Sequence, residues 1–368
     1  MGKRKIIQIA TVSNIHFDQR MIRIASSLQG FGYDVRLIFR LVIKYGKTTE
    51  SNANFPFVIL PMSVFPQQGI LFYLFYNLKL FFKLLFAKAD VFYAVDSDTL
   101  LAMTFLSIIK RKPLIYDAHE YFAEVPELNG QPFKKKIWHL ITQLGVNRSA
   151  LNITVSNTLA ERLEKRYKNA FNVLRNLPIC HSLNHIPKAV KPVVIYQGAL
   201  NQGRELELLI RCMSQLKNFE CWLVGEGDLS EKLRELKTEL KADNVTFLGV
   251  LSPKELKKIT PQCFVGFNLL DDSSISYQDS LSNKYFDYMH AGIPSLSSNL
   301  AEYMVLNNIW QCGICIQNSE TVLVATLNEL INKPSKYDFL KNNALIASQS
   351  LNWENESKNL EEWLEKIN

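Results

Sequence analysis

Short runs of consecutive apolar residues alternate along this chain with stretches in which apolar positions recur every three or four residues. The first kind of run reads as a buried strand and the second as an amphipathic helix. In the first half, strands are expected at 5–13 (KIIQIATVS), 33–40 (YDVRLIFR), 89–96 (ADVFYAVD), 112–120 (KPLIYDAHE) and 151–157 (LNITVSN), with a helix over 19–32 that glycine ends. Nearly continuous apolar strands between helices indicate a parallel sheet covered on both faces. Residues 179–192 hold two prolines and no periodicity, which places a linker at 179–191. The pattern then restarts. Strands at 193–200, 220–227, 244–251 and 263–270 alternate with helices at 204–216, 230–240 and 253–259, a second doubly wound region. An amphipathic helix closes the chain. The expected domains are therefore 1–178 and 192–345, followed by a C-terminal helix region at 346–368.

One stretch does not fit the alternation. Residues 70–87 (ILFYLFYNLKLFFKLLFA) are apolar almost throughout, but Lys79, Lys83 and Asn77 interrupt them. The segment is marginal in length for a span and carries two charges, which argues against a transmembrane helix. A helix buried ahead of strand 89–96 is the preferred reading, and an interfacial helix with lysines reaching toward headgroups is the alternative. The basic start of the chain followed by IIQIATV is too short for a secretory leader and reads as the first strand. The net charge is +7, yet residues 1–190 hold 25 Lys and Arg against 12 Asp and Glu, while the remainder is acidic. The basic half lacks the interleaved aromatics of a nucleic-acid surface. An anionic membrane surface, met through residues 70–88 and the cluster at 134–138 ending in Trp138, is the expected partner instead. Hydrophobic residues at 47% and charged residues at 21% exclude a disordered chain. The six cysteines are scattered and read as reduced thiols of a cytosolic protein. Cys312 and Cys315 have no second pair at zinc spacing.

The chemistry concentrates at 277–294 (YQDSLSNKYFDYMHAGIP), where seven residues separate Asp279 from Asp287 and enclose Asn283 and Lys284. A helix is expected over 284–290, with Asp287 in its first turn and Asp279 and Lys284 in the loop at its N-terminus. Such an end offers unpaired N–H groups and a partial positive charge to a phosphate. Carboxylates accept hydrogen bonds from vicinal hydroxyls, so the set describes a nucleotide-sugar site. The second region opens with a strand, Gly198, a loop holding Gly203, and Arg204 at a helix start. This turn lets backbone N–H groups approach a diphosphate. Asp96-Ser97-Asp98 spells a metal-binding Asp-x-Asp, but it lies far from these segments and reads as a strand-end turn.

The 277–294 segment resembles the acid–x7–acid motif of family 4 retaining glycosyltransferases, with Asp at both positions where the family usually has Glu. Residues 115–128 (IYDAHEYFAEVPEL) resemble a strand end of the same family. The resemblance implies the GT-B architecture: two Rossmann-like doubly wound α/β domains facing an interdomain cleft, with the C-terminal helix crossing back to the first domain. It implies that Asp287 holds the ribose and Asp279 the transferred sugar, that Arg204 and Lys284 hold the diphosphate, and that His119 contacts the sugar near the scissile bond. Asp279 and His119 are thus the expected catalytic residues, with Asn283 beside them at the helix start. Gly225, Gly227 and Gly249 match loops against the nucleotide base. Ala199 stands where the family has an Arg, and Lys284 is the candidate replacement cation. His16 and Asp18 would face the acceptor, or Asp18 and Arg20 would form a cap and ion pair. Glu120 and Glu124 would orient the acceptor or pair with Lys134–Lys136.

The expected function is metal-independent, cofactor-free transfer from a UDP- or GDP-sugar to a glycan or lipid-linked glycan. The expected setting is surface polysaccharide synthesis, in the cytoplasm or at the inner face of the membrane. The alternatives are a GT-B epimerase or phosphorylase, or a nucleotide-sugar-binding protein without catalysis. A dehydrogenase is disfavoured, since neither region has a full G-x-G-x-x-G after its first strand.

Overall fold

The structure, a computed structural model, describes residues 4–16, 18–41, 43–44, 47–48, 54–125, 128–180, 188–271 and 275–367. Residues 181–187 of the expected linker, and Pro126 and Glu127 of the 115–128 motif, lie outside the described residues. The chain divides into two compact units. Unit 1 comprises 1–176 with 356–368, and unit 2 comprises 177–355.

Unit 1 holds β1 (Ile6–Thr11), α1 (Gln19–Gly30), β2 (Asp34–Arg40), a small hairpin of β3 (Ile43–Lys44) and β4 (Lys47–Thr48), and β5 (Val58–Met62). Then come α2 (Gly69–Leu85), β6 (Val91–Val95), α3 (Asp96–Lys110), β7 (Leu114–Ala118), α4 (Pro132–Arg148), β8 (Leu151–Thr154), α5 (Asn157–Tyr167) and β9 (Asn172–Val173). Its main sheet runs β5-β2-β1-β6-β7-β8-β9, with every neighbouring pair parallel. β1, β6, β7 and β8 are buried along their whole length, which is why they read as unbroken apolar runs. Right-handed crossovers place α1 on one face and α2 to α5 on the other. The strand order turns back between β1 and β6, so a crevice opens at the C-terminal ends of those two strands.

Unit 2 repeats the plan with β10 (Val193–Gln197), α6 (Leu206–Gln215), β11 (Glu220–Val224), α7 (Ser230–Glu239), β12 (Val245–Gly249), α8 (Pro253–Ile259) and β13 (Val265–Asn268). It continues through α9 (Ile275–Gln278), α10 (Asn283–His290), β14 (Ser295–Ser298), α11 (Ala301–Trp310), β15 (Gly313–Ile316), α12 (Glu320–Asn332) and α13 (Pro334–Ser350). The sheet order is β12-β11-β10-β13-β14-β15, again parallel, and its switch point lies between β10 and β13. Gly266 in β13 is required by packing, since a Cβ there would lie 2.1 Å from the Tyr288 ring of α10. That ring reaches across the sheet, and its hydroxyl donates to the carbonyls of Ile195 and Phe267 at 3.2 Å each. α10 is thereby pinned over the switch point.

Several expectations change. The C-terminal helix, α14 (Trp353–Ile367), starts later than 346, because 346–350 completes α13. Asp96 opens helix α3 and is not part of a strand-end turn; its φ of 54° makes the sharp reversal from β6. α2 is neither wholly buried nor a span. Phe72, Tyr76, Leu80 and Leu84 are buried while the opposite face stays exposed and apolar, and among the described residues no helix is long and apolar enough to cross a membrane.

Candidate active site

In unit 2, the two segments marked by the sequence converge at the C-terminal ends of β10 and β13. Gly198 follows β10, Gly225 follows β11 and Gly249 ends β12, and their backbones interlock. Gly198 N–H donates to Val224 O at 2.9 Å, and Gly225 N–H donates to Gly249 O at 2.7 Å. A Cβ on Gly225 would lie 1.9 Å from the Gly198 carbonyl oxygen, and its φ of 131° is one that L side chains rarely adopt. The loop continues to Gly203 (φ 77°), where a Cβ would meet the Tyr277 ring at 2.4 Å. Gly227 is packed against Asn201 in the same way.

Tyr277 joins the two segments. Its hydroxyl donates to Gln202 O at 3.3 Å, and the Arg204 guanidinium lies 5.2 Å over its ring. Lys284 stands close by, with Nζ 5.2 Å over the Tyr196 ring. Burial first and Arg204 second, against the opposing pull of Asp287, bring its ammonium down to about 7. Arg204 and Lys284 together offer an anion two cationic side chains. Asp287 accepts from Gln197 Nε2 at 3.1 Å, which ties α10 to the end of β10. Asp279 is 4% exposed, in the turn after α9.

The start of α10 differs from expectation. The helix begins at Asn283, so Lys284 is its second residue rather than a loop residue, and Asp287 lies one turn in rather than in the first turn. The reason is Ser282, whose extended backbone initiates the helix while its side chain makes no capping bond. Its hydroxyl donates instead to Asn268 Oδ1 at 2.6 Å, and Asn268 Nδ2 donates to Ser297 Oγ at 3.1 Å. Tyr303 completes the anchor by accepting from Ser282 N–H at 2.9 Å. The first turn of α10, beside exposed Asn283, therefore receives no capping bond from the Ser282 side chain, the arrangement that suits a phosphate oxygen. Asn268, Ser297, Tyr277 and Tyr303 escaped sequence reading, because their role depends on partners 14 to 75 residues away.

In unit 1, His119 follows β7 at the crevice edge. Its backbone N–H donates to Asp96 Oδ1 at 2.8 Å, and Nδ1 lies 3.8 Å from Asp96 Oδ2. Nε2 lies 3.1 Å from Asp117 Oδ2 and 3.0 Å from Arg20 Nε. Burial disfavours a charged imidazole, but Asp117 and then Asp96 override it and push His119 up to about 9. The charged imidazolium thus keeps its proton and donates Nε2–H to Asp117 Oδ2, to which Arg20 Nε–H also donates at 3.4 Å. Arg20 is anchored further by Asp117 Oδ1 at 2.8 Å and Leu174 O at 2.7 Å. Burial would raise the Asp117 carboxyl, yet Arg20 and His119 hold it well below the usual carboxylate range. Tyr93 also donates to it at 2.9 Å.

Arg20 therefore pairs with Asp117, not Asp18. Asp18 caps α1 by accepting from Met21 N–H at 3.0 Å, and His16 packs its ring against Phe39 and Phe55. Of the Asp-x-Asp spelling only Asp96 reaches this cluster. Ser97 bonds Tyr116 and Thr142 in the core, and burial followed by repulsion from Asp96 and Glu120 raises the Asp98 carboxyl well above its usual range. Glu124 pairs with Lys135 at 2.6 Å. Asp117, the centre of the cluster, went unread because one buried acid in an apolar strand carries no local signal.

Residues 19–176 match the family described as Glycosyltransferase Family 4, and residues 191–333 match Glycosyl transferases group 1. The chain belongs to these glycosyltransferases. No curated protein sequence matches it significantly. Among solved structures, the glycosyltransferase fold here is similar to sucrose-phosphate synthase from Thermosynechococcus elongatus, with 13% identity, a TM-score of 0.78 and 99% of each chain covered. It is likewise similar to Anabaena Alr3699/HepE in complex with UDP and glucose, at 16% identity and a TM-score of 0.76, covering 99% of this chain and 100% of that one. The third is WaaG, a glycosyltransferase involved in lipopolysaccharide biosynthesis, at 14% identity and a TM-score of 0.72, covering 96% and 99%. The fold of this glycosyltransferase is accordingly GT-B, built from the 7-stranded and 6-stranded parallel sheets described above.

Proposed function

We propose that this glycosyltransferase transfers a sugar, with retention and without a metal ion, from a UDP- or GDP-sugar to a glycan or lipid-linked glycan in surface polysaccharide synthesis at the cytoplasmic face of a membrane. The observation that carries the reading is the convergence of Arg204, Lys284 and the uncapped start of α10 on the Gly198–Gly203 loop. Two cations and a helix end neutralise a departing diphosphate, the role a metal would otherwise fill. Complexes of a structural neighbour with UDP and glucose support a nucleotide-sugar donor. Asp287, one turn into α10, takes the ribose hydroxyls, and Asp279 takes those of the transferred sugar. Gly198 and Gly249 leave room for the nucleotide against the backbone, and Gly225 lets the Gly198 loop close beneath it. The His119 imidazolium serves the sugar, and the leaving phosphate accepts the acceptor's proton in a front-face displacement. The donor is the only small molecule required.

Asp279→Ala and Lys284→Ala are expected to abolish transfer from the donor while leaving the circular-dichroism spectrum and melting curve intact. Wild-type transfer rates in either variant would remove the site assignment, and loss of turnover on treatment with a chelator would remove the metal-free mechanism.

A further inference from the structure

β10 is buried along its length and apolar until its last residue, Gln197, which is only 5% exposed. A primary amide at that depth costs free energy unless its donors and its acceptor are matched. Gln197 Nε2 lies 3.1 Å from Asp287 Oδ2 on α10, and Gln197 Oε1 lies 3.0 Å from the hydroxyl of Thr260, itself buried just after α8. Neither Gln197 nor Thr260 belongs to the donor-binding set described above, yet the two end on one of its carboxylates.

The direction of donation along this series is set by its end. A carboxylate only accepts, so the Gln197 NH2 must face Asp287, and that turns Oε1 toward Thr260. Oε1 then needs a donor, and the Thr260 hydroxyl carries a single hydrogen. The Leu256 carbonyl also lies within its reach at 2.8 Å, so the charge on Asp287 decides the choice in favour of Gln197. Three elements are joined in this way: α8, the end of β10, and α10. α8 is in turn fixed at its start by the capping box of Ser252 and Glu255, just beyond Gly249.

The consequence for Asp287 lies in its torsions. The χ2 of an aspartate is broad and roughly twofold. Tyr288, bonded to the Ile195 and Phe267 carbonyls, therefore places the Asp287 backbone without setting the plane of its carboxylate. A donor held at Oδ2 sets that plane. Aspartate also has one torsion fewer than glutamate with which to correct a misplaced plane. We propose that Gln197 and Thr260 are positioning residues that orient Asp287 toward the ribose, and that this buried relay makes the site select a ribonucleoside diphosphate over its deoxy counterpart; the ribose role proposed above for Asp287 is the premise. A hydroxyl that meets a correctly oriented carboxylate gains a charge-assisted hydrogen bond, and a deoxy ligand brings nothing in its place.

The test is titration calorimetry of the full chain with UDP and GDP and with the 2′-deoxy and 3′-deoxy analogue of each. The wild type should bind a ribonucleotide about tenfold or more tightly than a deoxy analogue, the step expected for one hydrogen bond to a charged group. Gln197→Met, which keeps the length and removes the amide, should shrink that ratio to about threefold or less, chiefly by weakening the ribonucleotide. Thr260→Val should shrink it as well, and Thr260→Ser, which keeps the hydroxyl, should restore it. Melting curves report the fold of each variant, and Thr260→Val carries the same readout should Gln197→Met fail to fold. A wild-type ratio in Gln197→Met and Thr260→Val would overturn the proposal. So would an equal loss of affinity for ribo and deoxy forms, the mark of a merely structural role. In both cases the donor site itself stands. A wild type that binds ribo and deoxy forms alike removes the ribose from Asp287, and the relay with it, while the diphosphate cradle remains. Binding of neither UDP nor GDP would overturn the donor reading together with the relay.

Discussion

Lys284 and Asp117 show how burial sets chemistry at single residues. An ammonium pulled down to about 7 is half neutral near physiological pH. A bound diphosphate would restore its proton, so donor binding should take up a proton above pH 7. The sign follows from linkage: as pH rises through 7 the free site loses its charge, and donor affinity falls by up to about tenfold per pH unit. Titration calorimetry at pH 8 in buffers of different ionisation enthalpy should detect the uptake, and Lys284→Arg, which stays charged, should abolish it. Absence of proton uptake in the wild type would mean that Lys284 does not meet the phosphates. Asp117 poses the opposite problem, a carboxylate with no exposure that neutralises buried Arg20 and charged His119. Asp117→Asn leaves buried Arg20 without its carboxylate and His119 with Asp96 alone, and should cost about 3–5 kcal/mol in urea unfolding. A conservative apolar replacement of both partners, Arg20→Met/Asp117→Leu, should cost less than the single change.

Elements meet through backbone where side chains cannot fit. Gly198, Gly225 and Gly249 occur at three successive strand ends, but their demands differ. Gly225→Ala would drive a Cβ into the Gly198 carbonyl at 1.9 Å, whereas a Cβ on Gly249 meets nothing within 4 Å and pays only for its positive φ. Gly225→Ala should therefore lower the melting temperature and eliminate stabilisation by nucleotide sugar, while Gly249→Ala costs about 1 kcal/mol and keeps it. Equal behaviour of the two variants in thermal shift would remove the interlocked loops as the basis of the donor site. The GxG spelling at 225–227 is weak evidence when read along the chain. It gains meaning from Asn201 and Gly198, which pack on it from another loop.

At the scale of the whole molecule, unit 1 is completed by chain from the far end. Residues 356–368 belong to it, with Leu360 fully buried and Leu364 2% exposed. Glu356 Oε1 accepts from Arg175 N–H at 2.6 Å, across 181 residues of sequence. Leu360→Ala should cost about 2–5 kcal/mol, and limited proteolysis of that variant should cut first within 1–176. First cuts within 177–355 would show that α14 does not stabilise unit 1.

What the sequence determined by itself is whatever local chemistry dictates. Continuous apolar runs between amphipathic stretches specify two parallel sheets, since only strands buried on both faces tolerate such runs. The acid pair at 279 and 287, with Asn283 and Lys284 between them, is legible because all four lie on one short segment around a helix start. β9, with two residues, was too short to read; β14 (Ser-Leu-Ser-Ser) was legible as a strand of small residues after the Gly-x-Pro stop, but its hydroxyls' partners, Asn268 and Leu270, were not. The start of α10 at Asn283 depends on Ser282 reaching Asn268, and the pairing of Arg20 with Asp117 spans 97 residues. The outward face of α2 also needed tertiary structure. Hydropathy marks a segment as apolar, but which half of it is covered depends on the strands and helices that the rest of the chain packs against it.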